Sequence, residues 1–164
     1  MTRLPSANGA ANRKELTEDL VIAAGGWDRR YARLVLLVAD ESVAVTLVDS
    51  NGDGSALEME AWHRGRTGWE TGASTGGPGI LGSAWGDAAQ WCVTGTAAPG
   101  DTAMVRFENE DHECRANAFG LWGFVRQVDD IDAGGPEIVT PSESDGSNRT
   151  PNDADRLKIV FPQS

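Results

Sequence analysis

The chain has 164 residues, 40% of them hydrophobic and 24% charged, which is close to the soluble globular average and supplies apolar mass for one core. Against 14 Lys and Arg stand 25 Asp and Glu, and the resulting net charge of −11 works against binding to nucleic-acid phosphates or anionic membranes. Two cysteines exclude a disulfide-stapled scaffold, and no apolar run approaches the about 18 residues that a transmembrane helix needs.

Residues 1–11 are small and polar, and Asn12 to Ala24 reads as a helix. Asn12 with Glu15 has the spacing of a capping box, Leu16, Leu20 and Ala23 form a narrow stripe, and Gly25-Gly26 stops the helix. The start is not a secretory signal, because Leu20–Ala24 is short and follows Glu18 and Asp19. The expectation is a cytoplasmic protein with Cys92 and Cys114 reduced. The one dense basic stretch, Asp28-Arg29-Arg30-Tyr31-Ala32-Arg33, reads as a solvated strand entrance.

From Tyr31 the apolar period becomes two. Strands are expected at 31–38, 42–48, 56–63, 90–94, 102–108, 112–117 and 121–128, separated by turn residues. Residues 64–87 carry no such alternation and read as a long Gly-rich loop holding Trp69 and Trp85. After Asp129 the composition turns acidic and rich in Pro, Ser, Gly and Asn, which predicts a mostly disordered tail. It closes on an apolar patch, Leu157-Lys158-Ile159-Val160-Phe161, of the kind that adds to a sheet edge. The expected organisation is a flexible N-terminus with a short helix (1–26), an antiparallel β-sandwich (27–128) and an acidic tail (129–164).

Ala61-Trp62-His63-Arg64, Thr67-Gly68-Trp69-Glu70 and Gly76-Gly77-Pro78-Gly79 together resemble a pattern of small β-rich proteins from GC-rich bacteria. The turn Gly95–Gly100, the strand Ala103–Phe107 and the Gly-aromatic strand Gly120–Phe124 resemble bacterial immunoglobulin-like modules. The resemblance spans about residues 60–128, implies an all-β sandwich, immunoglobulin-like or related, and transfers no catalytic residue.

Asp49-Ser50-Asn51-Gly52-Asp53-Gly54-Ser55-Ala56-Leu57-Glu58-Met59-Glu60 fits the spacing of an EF-hand loop. Ca²⁺ takes six to eight oxygens, and Asp49, Asn51, Asp53, the Ser55 carbonyl and Glu60 are its candidates here. The flanks read as strands rather than helices, so a plain hairpin tip built of easily turning residues competes with calcium. Cys92, Cys114, His63 and His112 add up to a zinc set in number but lack paired-ligand spacing. No nucleophile, acid and base emerge as a constellation, so no catalytic residue is expected. Of six tryptophans, Trp62, Trp69 and Trp85 are the candidates for a recognition surface. The leading expectation is therefore a non-catalytic module for a protein partner, without nucleic acid, membrane or cofactor. The alternatives are a calcium-stabilised β-module and a carbohydrate-binding module.

Overall fold

The computed structural model describes residues 15–77, 79–87 and 90–139. Among them is one α-helix, α1 (Glu18–Gly25). Thr17 caps it, its hydroxyl accepting the Leu20 N–H at 3.2 Å, with Glu18 and Asp19 in the positively polarised first turn. Gly26 ends it in the left-handed conformation, φ 70°, and the N–H groups of Gly26 and Trp27 close back on the Ala23 and Ile22 carbonyls. Within the described residues the helix thus starts at Glu18, after the expected capping position, and Asn12 lies outside them. Its buried side chains are Val21 and Ile22; of the expected stripe, Leu16 is buried just before the helix and Leu20 packs against the same cluster, while Ala23 is exposed.

The described residues are otherwise mainly β, with antiparallel ladders, as the alternating sequence predicts. Strands β1 (Arg33–Asp40), β2 (Val43–Asp49), β3 (Leu57–Arg64) and β4 (Trp69–Gly76) form a meander in that spatial order. A middle sheet runs β5 (Ser83–Asp87), β6 (Gln90–Thr96), β9 (Leu121–Gln127). A third sheet runs β10 (Glu137–Val139), β7 (Thr102–Phe107), β8 (Glu110–Arg115). The sandwich therefore has three β layers, with α1 as a fourth.

Three clusters hold the layers together. Leu16, Val21 and Ile22 pack with Ala44, Val48 and Trp62 on the outer face of the first sheet. Val43, Val45, Leu47 and Met59 on its inner face meet Cys92, Leu121 and Val125 of the middle sheet. Val93, Trp122 and Phe124, on the other face of the middle sheet, meet Val105, Phe107 and Cys114 of the third. Each buried side chain of this size contributes about 1.5–3 kcal/mol. All seven residues of β2 are buried, because the helix covers one face and the middle sheet the other.

Two of the expected loops are structured. The 64–87 segment contains β4 and β5. Both lie at sheet edges, and β4 is exposed from Glu70 to Gly76, so no apolar alternation marks it. Early in the expected tail, Ile131–Ala133 form a 3₁₀ turn and β10 pairs with β7, placing Ile138 in the third cluster opposite Val105. The Leu157–Phe161 patch lies outside the described residues.

One side of the stack is closed. A bulge between Leu34 and Leu36 interrupts the β1–β2 ladder, and the Val35 carbonyl accepts the Asn117 Nδ2–H at 2.7 Å. Asn117 Oδ1 in turn accepts the N–H groups of Phe119 (2.9 Å) and Leu121 (3.2 Å), fixing the turn into β9. Glu18 takes the Leu34 N–H at 3.1 Å. At Gly123 a Cβ would meet Val38 at 2.9 Å, so β9 approaches β1 as closely as only glycine permits. Because Asn117→Ala deletes three hydrogen bonds and orphans part-buried backbone groups, it is expected to cost about 2–4 kcal/mol, measured by urea unfolding.

Candidate functional site

The structure brings Asp49, Asn51, Asp53 and Ser55 into one turn between β2 and β3. Asp49 is fully buried, and its two carboxylate oxygens accept the N–H groups of Gly52 (3.1 Å) and Gly54 (2.8 Å). Asp53 Oδ1 takes both the Ser55 N–H (2.9 Å) and the Ser55 hydroxyl (2.5 Å), which hold the Asp53 carboxyl below the usual range. Gly52, at φ 77°, packs so tightly that a Cβ would lie 2.4 Å from the Tyr31 carbonyl oxygen. The turn thus satisfies its own amides with its own carboxylates.

Glu60 does not join that turn. In the β2–β3 register Asp49 faces Leu57 and Glu60 faces Thr46. Leu57 belongs to the inner cluster, while Trp62, two residues from Glu60, belongs to the outer one. With side chains alternating along a strand, Asp49 and Glu60 occupy opposite faces of the sheet. The two acids that open and close the EF-hand spacing therefore do not converge, and among the described residues no three His, Cys, Asp or Glu form a group fit for a metal. Glu60 is only 8% exposed, one of its oxygens has no partner, and burial with the neighbouring Glu58 charge pushes its carboxyl above the usual range.

The three tryptophans do not share a surface. Trp62 is 1% exposed, buried in the cluster under α1, and donates its indole N–H to the Thr46 hydroxyl at 2.9 Å. The sequence places Trp62 correctly on the face away from Leu57 and Met59, but that face is covered by the helix rather than open. Trp69 packs at the margin of the same cluster, with the Arg64 guanidinium 4.6 Å over its ring. Trp85 pairs with Cys92 on the inner face of the middle sheet. It lines a cavity.

That cavity, about 470 Å³, lies where the free edges of β4 and β5 face each other, lined by Ala73–Gly76, Ile80, Ser83 and Trp85. A second, about 260 Å³, also reaches Ile80 and runs to Gly54–Glu58 beside the Asp49 turn. The Trp85 indole N–H is buried without an acceptor. Such orphan donors are rare and ask for a partner. The β3–β4 register supplies the rest. The Gly77 N–H bonds to the Leu57 carbonyl, so by alternation Thr75 faces Met59 in a hydrogen-bonded pair, and Ser74 and Gly76 turn their N–H and C=O groups to the open edge. Glu58 lies against Gly76, and Asp87 reaches the Ala73 N–H at 3.5 Å. The free backbone edge lay hidden in the sequence because it is made by Ser, Thr and Gly, which carry no pattern.

The remaining expected residues are dispersed. Cys92 lies in the inner cluster, its thiol pushed up to about 12 by burial and by the nearby Asp87 charge, and Cys114 lies in the third. His63 pairs with Glu70 at 3.2 Å and His112 lies 5.2 Å from the Phe124 ring. In the basic stretch, Arg29 is bound to Asp19 and Arg30 to Asp28. No helix among the described residues is long and apolar enough to cross a membrane. No protein-family model, curated protein or solved structure matches the chain.

Two outcomes follow from these placements. Glu60 has a folded-state pKa above its unfolded value, so the folded state holds its proton longer and stability falls as pH rises through that interval. Glu60→Gln is expected to flatten the decline above pH 4.5 and to raise the melting temperature at pH 7 by about 2–5 °C, read by thermal melts across pH. With Asp49 and Glu60 on opposite faces, melts in millimolar CaCl₂ and in EDTA are expected to coincide. A calcium-specific rise of about 5 °C, the size expected for a micromolar site, would contradict that geometry.

Proposed function

We propose that the protein is a non-catalytic binding module that takes an extended segment of a protein partner along β4. The observation that carries this reading is the eight-residue β4, an edge strand whose Ser74 and Gly76 main chain faces outward over the Trp85 cavity. Strand addition supplies affinity through main-chain hydrogen bonds and specificity through pockets for alternate side chains. Here the cavity would receive one apolar side chain against Ile80 and Trp85. Glu58, Glu70 and Asp87 at this edge, with the net charge of −11, favour a segment carrying Lys or Arg. A cytoplasmic location accords with the reading, since Cys92 and Cys114 lie in separate clusters as free thiols.

The test is a titration of the full chain with a synthetic peptide of alternating Val and Lys, followed by tryptophan fluorescence. Saturable binding at about 10–100 μM is expected, the range of one short strand. Ser74→Pro removes an outward N–H without removing a ladder bond, and is expected to weaken binding about tenfold while the fold is kept. Equal binding by wild type and Ser74→Pro would overturn the β4 reading.

A further inference from the structure

The turn between β2 and β3 carries two of the most chemically fragile dipeptides in proteins, Asn51-Gly52 and Asp53-Gly54. Each degrades by the same route. The glycine nitrogen attacks the side-chain Cγ of the residue before it, forming an N–Cγ bond and a five-membered imide. From Asn51 the Cγ–Nδ2 bond breaks and ammonia leaves with the proton of the Gly52 amide. From Asp53, in its protonated form, the hydroxyl leaves as water with the proton of the Gly54 amide. Water then opens the imide at either carbonyl, giving aspartate or isoaspartate. In both cases the nucleophile is the amide of the following glycine, and glycine favours attack because it has no side chain to obstruct it.

In this structure those two amides have the same partner. The Gly52 N–H is held by Asp49 Oδ1 at 3.1 Å and the Gly54 N–H by Asp49 Oδ2 at 2.8 Å. We propose that the turn is a latent deamidation and isomerisation site, and that Asp49 guards it by binding both attacking amides with one buried carboxylate. Burial of the targets does not account for protection, because Asn51 and Asp53 are exposed. The negative charge of a carboxylate that accepts an N–H disfavours the amide anion that would form on proton loss, and the bond holds the N–H in place, so that the contact must open before the nitrogen can attack. The Asp53 carboxyl is engaged as well, through Ser55, which favours the ionised form that does not react. Loss of the Asp49 contacts would therefore release both reactions at once, and the isoaspartate product would lengthen the main chain inside a turn whose Gly52 sits against Tyr31.

The test compares the full chain, folded and unfolded in urea, at pH 8.5 and 37 °C, with deamidation at Asn51 followed by peptide mass spectrometry and isoaspartate at Asp53 by enzymatic methylation. The folded chain is expected to react at Asn51 at least about tenfold more slowly than the unfolded chain, since local opening must precede attack. Asp49→Asn leaves one neutral acceptor oxygen and puts an NH2 donor, which cannot accept an N–H, in place of the other, and in the folded state it is expected to speed Asn51 loss by about tenfold. Hydrogen exchange of wild type supplies a measurement that needs no variant. The Gly52 and Gly54 amides are expected to be slowed together, by a factor close to the retardation of deamidation, because one opening governs both. Exchange of these two amides at the unprotected rate would overturn the proposal, as would equal Asn51 loss in folded and unfolded chain. A folded Asp49→Asn variant that deamidates at the wild-type rate would overturn it too.

Discussion

The middle sheet is buried on both faces, and most of the molecule follows from that constraint. With the first sheet on one side and the third on the other, β6 and β9 must alternate between two apolar environments rather than between core and water. Leu121 and Val125 of β9 serve the inner cluster while Trp122 and Phe124 serve the third. Phe124 meets Phe107 edge to face at 5.8 Å, which positions the β7–β8 hairpin over this sheet. Gly123 then lets β9 settle against Val38 and Leu36 of β1. The first and middle sheets are thereby drawn together along β1 and β9, and their other edges, β4 and β5, face each other across a gap.

How polar groups are satisfied differs between the two sides. On the closed side each group freed by the β1 bulge has an acceptor or donor: Asn117 takes the Val35 carbonyl and Glu18 takes the Leu34 N–H. Ser42 reaches Gln127 across the same side. The open side presents the outward main chain of Ser74 and Gly76. A sheet edge left in that state is ordinarily a hazard for aggregation. It persists where something uses it, or where charge keeps copies of the chain apart.

The legible part of the fold was the part in which one face is apolar and the other is not. Seven strands show the alternation, and Ala103, Val105 and Phe107 or Trp122 and Phe124 point where their period places them. β4 escaped because its exposed small residues leave the period nothing to act on. β10 escaped because three residues in an acidic stretch carry too little apolar signal. The EF-hand spacing does not bring its two end acids together, for a different reason. It counts residues along a chain wrapped around an ion, whereas a strand running from Leu57 turns each successive side chain to the other face, and that separates Glu60 from Asp49. Trp62 shows the limit of face assignment: the sequence tells which side it takes, but not that a helix lies over it.

The surface charge works against pairing of the open edge with a second copy of the chain. Pairing β4 of one copy with β4 of another would bring Glu58, Glu70 and Asp87 of both chains to one seam, in molecules that each carry −11 overall. Like charges so placed cost more than a few main-chain hydrogen bonds at a solvated edge return, because those bonds are worth only about 0.5–1.5 kcal/mol each in exchange for water. A basic segment would meet the opposite balance: the same three acids would attract it, and the same backbone groups would bind it. The acidity that works against nucleic-acid phosphates would then also be the term that separates a partner strand from a second copy of the chain.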